Sequence, residues 1–281
     1  MGKVAIVTDG TGALPESINK AYDLHIVPLT IEWEGKSYLD GVDIKPREFY
    51  TRLSSSKTIP TTSQPSAAAF YQTFLPLIEQ GYDILTLPLS SKISGTYLSA
   101  STAAKQFPGE RIEVLDTLSA SLPLGMITIL AARAAQQGAT LLECNNVAID
   151  AASRMHVYFA VESLEYLYKG GRINTASKFM GTALDLKPIL ELKDGLIVPC
   201  ERVRTSKKAH ARLVELAEEI VGPKGNIEFL GFVSANASEV LDELHEEAHK
   251  RFRIKEEIFS DLSPVLGSHV GPGTVGFVFI T

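Results

Sequence analysis

Two short runs of hydroxyl residues carry the most chemistry in this 281-residue chain. Ser94-Gly95-Thr96 follows the apolar run Ile84-Leu85-Thr86-Leu87-Pro88-Leu89 and opens a helix-like stretch. Thr61-Thr62-Ser63 precedes another helical stretch about thirty residues earlier. Hydroxyls together with the free backbone N–H groups of two helix N-termini are suited to hold one small anion between them. Neither run has a nucleophile-activating base beside it in sequence. The chemistry implied is a grip on an anionic head group rather than bond cleavage.

Other patterns compete with that reading. His245-Glu246-Glu247-Ala248-His249 matches H-E-x-x-H, which on a helix puts two imidazoles on one face for zinc. Its third ligand would come from Glu256 or His269. The plainer account is an amphipathic helix with Leu241, Leu244, Ala248 and Phe252 as its stripe, begun by an Asn236/Glu239 capping box. Gly271-Pro272-Gly273-Thr274-Val275-Gly276 spells G-x-G-x-x-G, but a strand follows it where a dinucleotide fingerprint needs a helix. Asp9-Gly10-Thr11-Gly12 also fails that spacing and reads as a strand-to-helix turn. Ser94 lacks a G-x-S-x-G context, though His269 could serve it as a base. A hydrolase using Ser94 and His269, or zinc at His245 and His249, is therefore the competing function. Taken singly, Ser94, Thr62 and Ser63 read equally well as helix N-caps, and Lys169-Gly170-Gly171-Arg172 as a helix C-cap.

The composition bounds the class. An apolar share of 45% suits a protein with a real core, and a net charge of −6 argues against broad nucleic-acid binding. Cys144 and Cys200 have no metal or redox spacing and fit a reducing compartment. Gly2-Lys3 leads straight into Val4-Ala5-Ile6-Val7 without a signal-peptide core. The longest apolar region, Leu122 to Ala135, is broken by Thr128 and Arg133 and is too short to span a bilayer. These features predict a cytoplasmic protein with no transmembrane segment.

Strands and helices alternate through the first half. Strands are expected at Val4–Thr8, His25–Glu32, Ile84–Leu89 and Ile112–Leu115. Helices are expected at Pro15–Tyr22, Pro46–Leu53, Ser66–Gln80, Gly95–Gln106, Leu122–Gln137 and Leu141–Arg154. This order predicts a mostly parallel sheet with flanking helices. The loops holding Asp9-Gly10-Thr11, Ser90–Thr96 and Asp116-Thr117 should meet at its carboxyl edge. The second half reads as strand Val157–Val161, helices at Leu164–Lys169 and Thr175–Leu184, and a hairpin, Ile189–Leu192 to Leu196–Val203, turned at Asp194-Gly195. Helix Lys207–Val221, strand Glu228–Ser234, helix Glu239–Arg253 and two final strands complete it. The fold expected is α/β in two domains: residues 1–155 with the parallel sheet and the anion-binding loops, and 156–281 as an α+β domain with a mainly antiparallel sheet.

Taken together, these segments resemble the DegV family of bacterial fatty-acid-binding proteins. The matching runs are Val7-Thr8-Asp9, Thr61-Thr62-Ser63-Gln64-Pro65-Ser66, Ile93-Ser94-Gly95-Thr96-Tyr97 and Asp116-Thr117-Leu118-Ser119-Ala120-Ser121. Further along come Leu164–Ile173 with its Lys169-Gly170-Gly171-Arg172 turn, Lys187-Pro188-Ile189-Leu190, and His269-Val270-Gly271-Pro272-Gly273-Thr274. Each is short, but their order and spacing agree along the whole chain. The resemblance implies one buried long-chain fatty acid, such as palmitate, stearate or oleate, and no cofactor. It implies that Thr62 and Ser94 hold the carboxylate, with Ser63, Gly95, Thr96, Arg172 and His269 near the head group. It also implies that the protein is not itself an enzyme but presents the fatty acid to a separate ATP-dependent fatty acid kinase, whose acyl phosphate feeds phospholipid synthesis. Gly10, Pro123 and Tyr168 depart from the family pattern, where serine, glycine and lysine are frequent.

A carboxylate leaving water needs charge-assisted hydrogen bonds of roughly 1.5–3 kcal/mol each, and the acyl chain adds about 0.8 kcal/mol per buried CH₂. Phe159, Ile189, Leu190, Phe229, Phe232 and Phe277 are candidates for lining its tunnel, each equally explicable as core.

Overall fold

The computed structural model describes residues 3–179 and 186–281. The chain begins with β1 (Val4–Asp9), α1 (Glu16–Ala21), β2 (His25–Val27), β3 (Thr30–Trp33), β4 (Lys36–Leu39), α2 (Pro46–Ser55) and β5 (Thr61–Ser63). It continues with α3 (Ala67–Glu79), β6 (Asp83–Leu87), α4 (Thr96–Ala104), β7 (Ile112–Val114), α5 (Ser121–Gln136) and α6 (Leu141–Ser153). The second half holds β8 (Met155–Ala160), α7 (Glu165–Lys169), β9 (Lys187–Lys193), β10 (Leu196–Val203) and α8 (Ser206–Val221). It ends with β11 (Asn226–Ser234), α9 (Ser238–Arg251), β12 (Arg253–Asp261), α10 (Pro264–Val270) and β13 (Val275–Ile280).

The architecture is mixed α/β. A four-stranded parallel sheet has the order β2-β1-β6-β7, and a six-stranded sheet has the order β10-β9-β8-β13-β11-β12. The second sheet is antiparallel except for the β11/β12 pair. A small antiparallel sheet, β4-β3-β5, was not foreseen. The run expected as one strand, His25–Glu32, splits at Pro28: β2 joins the parallel sheet, and β3 turns away to pair with β4 and β5. Proline lacks the N–H that a continuous ladder needs. Helix α10 was also missed, although Ser263 caps it by accepting from the Leu266 N–H and Pro264 occupies its first turn. The helix expected at Thr175–Leu184 is a 3₁₀ segment over Asn174–Phe179, and its remainder lies outside the described residues.

At the carboxyl edge of the parallel sheet the three polar loops do meet. Asp9 Oδ2 accepts from the Leu89 N–H at 2.6 Å, Asp116 Oδ1 accepts from the Ser91 N–H at 3.1 Å, and Thr117 Oγ1 donates to the Pro88 carbonyl at 2.8 Å. Helix α5 starts beside them and is buried on most of its surface, as its largely apolar sequence requires. It wedges between the sheets. One continuous cluster joins Ile6, Leu85 and Leu87 of the parallel sheet to Val157, Val233, Val278 and Ile280 of the other. At Gly125, a Cβ would sit 2.4 Å from the Gly12 carbonyl, so glycine lets α5 pack directly on the turn after β1. Among the described residues, no helix is long and apolar enough to cross a membrane.

Candidate functional site

The space left between α5, the small sheet, α10 and the inner face of the six-stranded sheet is a cavity of about 970 Å³ of atom-free volume, its mouth included. Its walls are mostly apolar: Leu89, Pro123, Val157, Phe159, Leu192, Val233, Leu262 and Val278 all contribute.

Strand alternation decides which side chains face it. On β13, Gly276 and Val278 point inward while Phe277 and Phe279 point to the opposite core under α8 and α9. On β11, Val233 lines the cavity and Phe232 does not. Of the six apolar candidates from sequence, only Phe159 lines the cavity. Ile189, Phe232 and Phe277 belong to the far-side core, Leu190 to a small cluster with Leu167 and Ile197, and Phe229 to the central core. A large side chain is no guide to facing when the neighbour one position away points the other way.

Polar side chains gather in one part of the wall: Thr62, Ser63, Gln64, Ser94, Arg172 and His269. Thr62 and Ser63 lie on the short edge strand β5, opposite Ile31 and Thr30 of β3. They are not helix caps; Ser66 caps α3 by accepting from the Ala69 N–H at 3.1 Å. Ser94 precedes α4, and its Oγ accepts from the Thr96 N–H at 3.3 Å and shares a 2.9 Å hydrogen bond with Thr96 Oγ1. Gly95 and Thr96 stand behind Ser94 rather than in the cavity wall, and Thr96 is buried.

His269, on the last turn of α10, lies 2.7 Å from Thr62 Oγ1 through Nε2. Burial, assisted by the nearby charge of Arg172, pushes its pKa down to about 4, so the imidazole is neutral at pH 7. Its Nδ1 is buried and finds no partner among the described residues. The ring packs so closely on Gly170 that a Cβ there would lie 2.3 Å from Nδ1. The Arg172 guanidinium is anchored by Nε to the Ile93 carbonyl at 3.2 Å and by Nη1 to the Gly170 carbonyl at 2.8 Å. Among the described residues it has no carboxylate partner. The arrangement offers hydroxyls, a neutral imidazole and a positive charge to an anion whose apolar remainder enters the cavity.

Sequence reasoning passed over Gln64, Ser121, Ser234 and Thr274, which also line the cavity. Ser121 opens α5 with a positive φ of 61°, and its buried Oγ, like that of Ser234, has no partner among the described residues. A strained serine aimed into a cavity marks a site, but the strain is invisible in sequence.

The competing motifs fare differently. Among the described residues Ser94 Oγ bonds Thr96 and no imidazole, so a serine–histidine pair is not assembled. His245 and His249 do share a face of α9, but neither suggested third ligand reaches them. Glu256 is gripped by the Arg133 guanidinium, with Nη1 donating to Oε2 at 2.6 Å, and His269 belongs to the cavity. Glu257 faces the two histidines instead. Asn236 adopts φ +58° and Ala237 occupies the N-cap of α9, so the Asn236/Glu239 capping box does not form. A true one is made by Thr140 and Glu143 at α6.

The fold and cavity define an α/β protein with an apolar chamber and a polar, anion-compatible wall. A family model described as an uncharacterised protein of the DegV family matches residues 3–281. The chain is 36% identical to a DegV domain-containing protein of Caldanaerobacter subterraneus over 99% of each chain. It is 35% identical to a protein of Thermotoga maritima named fatty acid-binding protein, over 98% of this chain and 96% of that one. A solved structure of a DegV family protein from Thermus thermophilus, described by its fatty acid binding, superposes with a TM-score of 0.92 at 34% identity and 99% coverage of both chains. The chain belongs to the DegV family.

Proposed function

We propose that this protein binds one long-chain fatty acid, with the acyl chain in the cavity and the carboxylate at its polar wall. Thr62 and Ser94 hold the carboxylate, while Ser63, Arg172 and His269 surround it, with Gly95 and Thr96 fixing the Ser94 loop. The division of labour follows the chain: residues 1–155 supply the two hydroxyl loops, and 156–281 supply Arg172, His269 and most of the acyl wall. The carrying observation is Arg172, which has no acidic partner among the described residues although it borders a mostly apolar cavity beside unspent hydrogen-bonding groups. An anionic amphiphile satisfies both halves of that environment.

The named function of the relatives supports the ligand class. Among the described residues Ser94 bonds Thr96 and His269 bonds Thr62, which favours holding over turnover. We further propose that the protein acts as a carrier in the cytoplasm, presenting its fatty acid to a separate kinase for acyl-phosphate formation, as the family resemblance implies. The head-group assignment is tested by titrating delipidated protein with palmitate and with its methyl ester. The ester removes the charge and keeps the chain, so it should bind at least about tenfold more weakly. Equal affinities would contradict the assignment. The carrier role is tested by supplying the loaded protein and ATP to a fatty acid kinase; acyl phosphate should form only when both proteins are present.

A further inference from the structure

We propose that His245, His249 and Glu257 form a binding site for a divalent cation of the zinc class, separate from the lipid cavity. The two histidines are four residues apart on α9, and their rings lie 4.5 Å apart between centroids. Both turn Nε2 toward the same carboxylate on the edge strand β12: His245 Nε2 is 3.1 Å from Glu257 Oε1, and His249 Nε2 is 2.9 Å from Oε2. The three ligand atoms lie within 4.8 Å of one another. A tetrahedral ion with bonds of ~2.0–2.2 Å spaces its ligands about 3.3–3.6 Å apart, so small side-chain rotations admit it.

The surroundings favour a metal over a mere pair of hydrogen bonds. Among the described residues Glu257 has no lysine or arginine partner. Phe232 and Phe259 pack against the His245 ring, at 5.8 and 5.4 Å, and hold its plane. The set of two nitrogens and one oxygen suits zinc, and also cobalt, nickel or copper, rather than calcium or magnesium. None of the three residues lines the lipid cavity. The ion would clip α9 to β12, the strand at the end of the sheet, with water completing its coordination.

The experiment titrates the full, EDTA-stripped chain with zinc chloride by calorimetry. The expected result is one-to-one binding with Kd in the range of about a micromolar. Glu257→Gln and His249→Ala should each weaken it at least about tenfold, whereas His210→Ala should not. On the unsubstituted chain, zinc should shift the imidazole NMR signals of His245 and His249 together and leave those of His25, His156 and His210 in place. Absence of a one-to-one isotherm, wild-type affinity in either ligand variant, or shifts spread over the other histidines would overturn the proposal.

Discussion

Replacing Thr62 by valine preserves the branched shape of an edge-strand residue and removes one hydroxyl. That hydroxyl bonds His269 Nε2 at 2.7 Å, and it faces the cavity beside Ser94 and Arg172. With the fatty acid bound, its loss removes one hydrogen bond to a charged group, worth roughly 1.5–3 kcal/mol. At about 1.4 kcal/mol per decade, affinity should fall about ten- to hundredfold. The fold should be little affected, because Thr62 is only half buried and its backbone pairing to Ile31 persists. Competition with a fluorescent fatty acid reads the loss directly. Ser94→Ala should show a loss of similar size. The double variant should lose less than the product of the two, since both act on one carboxylate. Affinity of Thr62→Val within twofold of wild type would refute the assignment of Thr62 to the head group.

Three further outcomes follow from the geometry. Gly170→Ala should disturb binding, because its backbone φ of −77° is ordinary for alanine but the new methyl meets His269 Nδ1; Gly171→Ala, in open space at φ +68°, should cost stability and spare affinity. His269 should make the ligand-free protein less stable as pH falls from about 6.5 toward about 4, because over that window the unfolded chain takes up a proton that the folded imidazole refuses. Asp40, raised to about 7 by burial, acts in the opposite sense and loses its stabilising share as pH rises from about 4 to about 7. The difference between wild type and His269→Gln in denaturant melts at pH 7 and pH 5 therefore isolates the histidine, and an unchanged difference would contradict its burial as a neutral base. Val278→Phe should occupy the space of two to three methylenes, costing the longest chains about 0.8 kcal/mol each; lipid extracts of the variant should shift to shorter acids, and an unchanged profile would exclude Val278 from the chain's path.

The elements most legible in sequence were those signalled locally. The Asp194-Gly195 hairpin has both residues at positive φ, as the dipeptide implied, and α8 has the cap at Thr205 that its composition allows. Pro28 carried the information that divides β2 from β3, but the apolar pattern across it was continuous. The site was legible as residue types and not as contacts. Thr62 and His269 touch across 207 positions, a pairing set by the packing of α10 on the small sheet rather than by any local pattern. Facing was least legible of all. Phe277 and Val278 are equally apolar, and only the register of β13 on β8 and β11 sends the smaller one into the cavity. Gln64, Ser121 and Ser234 escaped for the same reason, since their hydroxyls and amide become notable only once apolar walls surround them.

The most direct measurement is native mass spectrometry of the freshly purified protein, followed by solvent extraction and identification of what is released. A cavity with an apolar wall and an anion-ready face should carry a stoichiometric long-chain fatty acid, and Thr62→Ala/Ser94→Ala protein should carry far less. Protein that is empty, and that also takes up no added palmitate, stearate or oleate, would contradict the account.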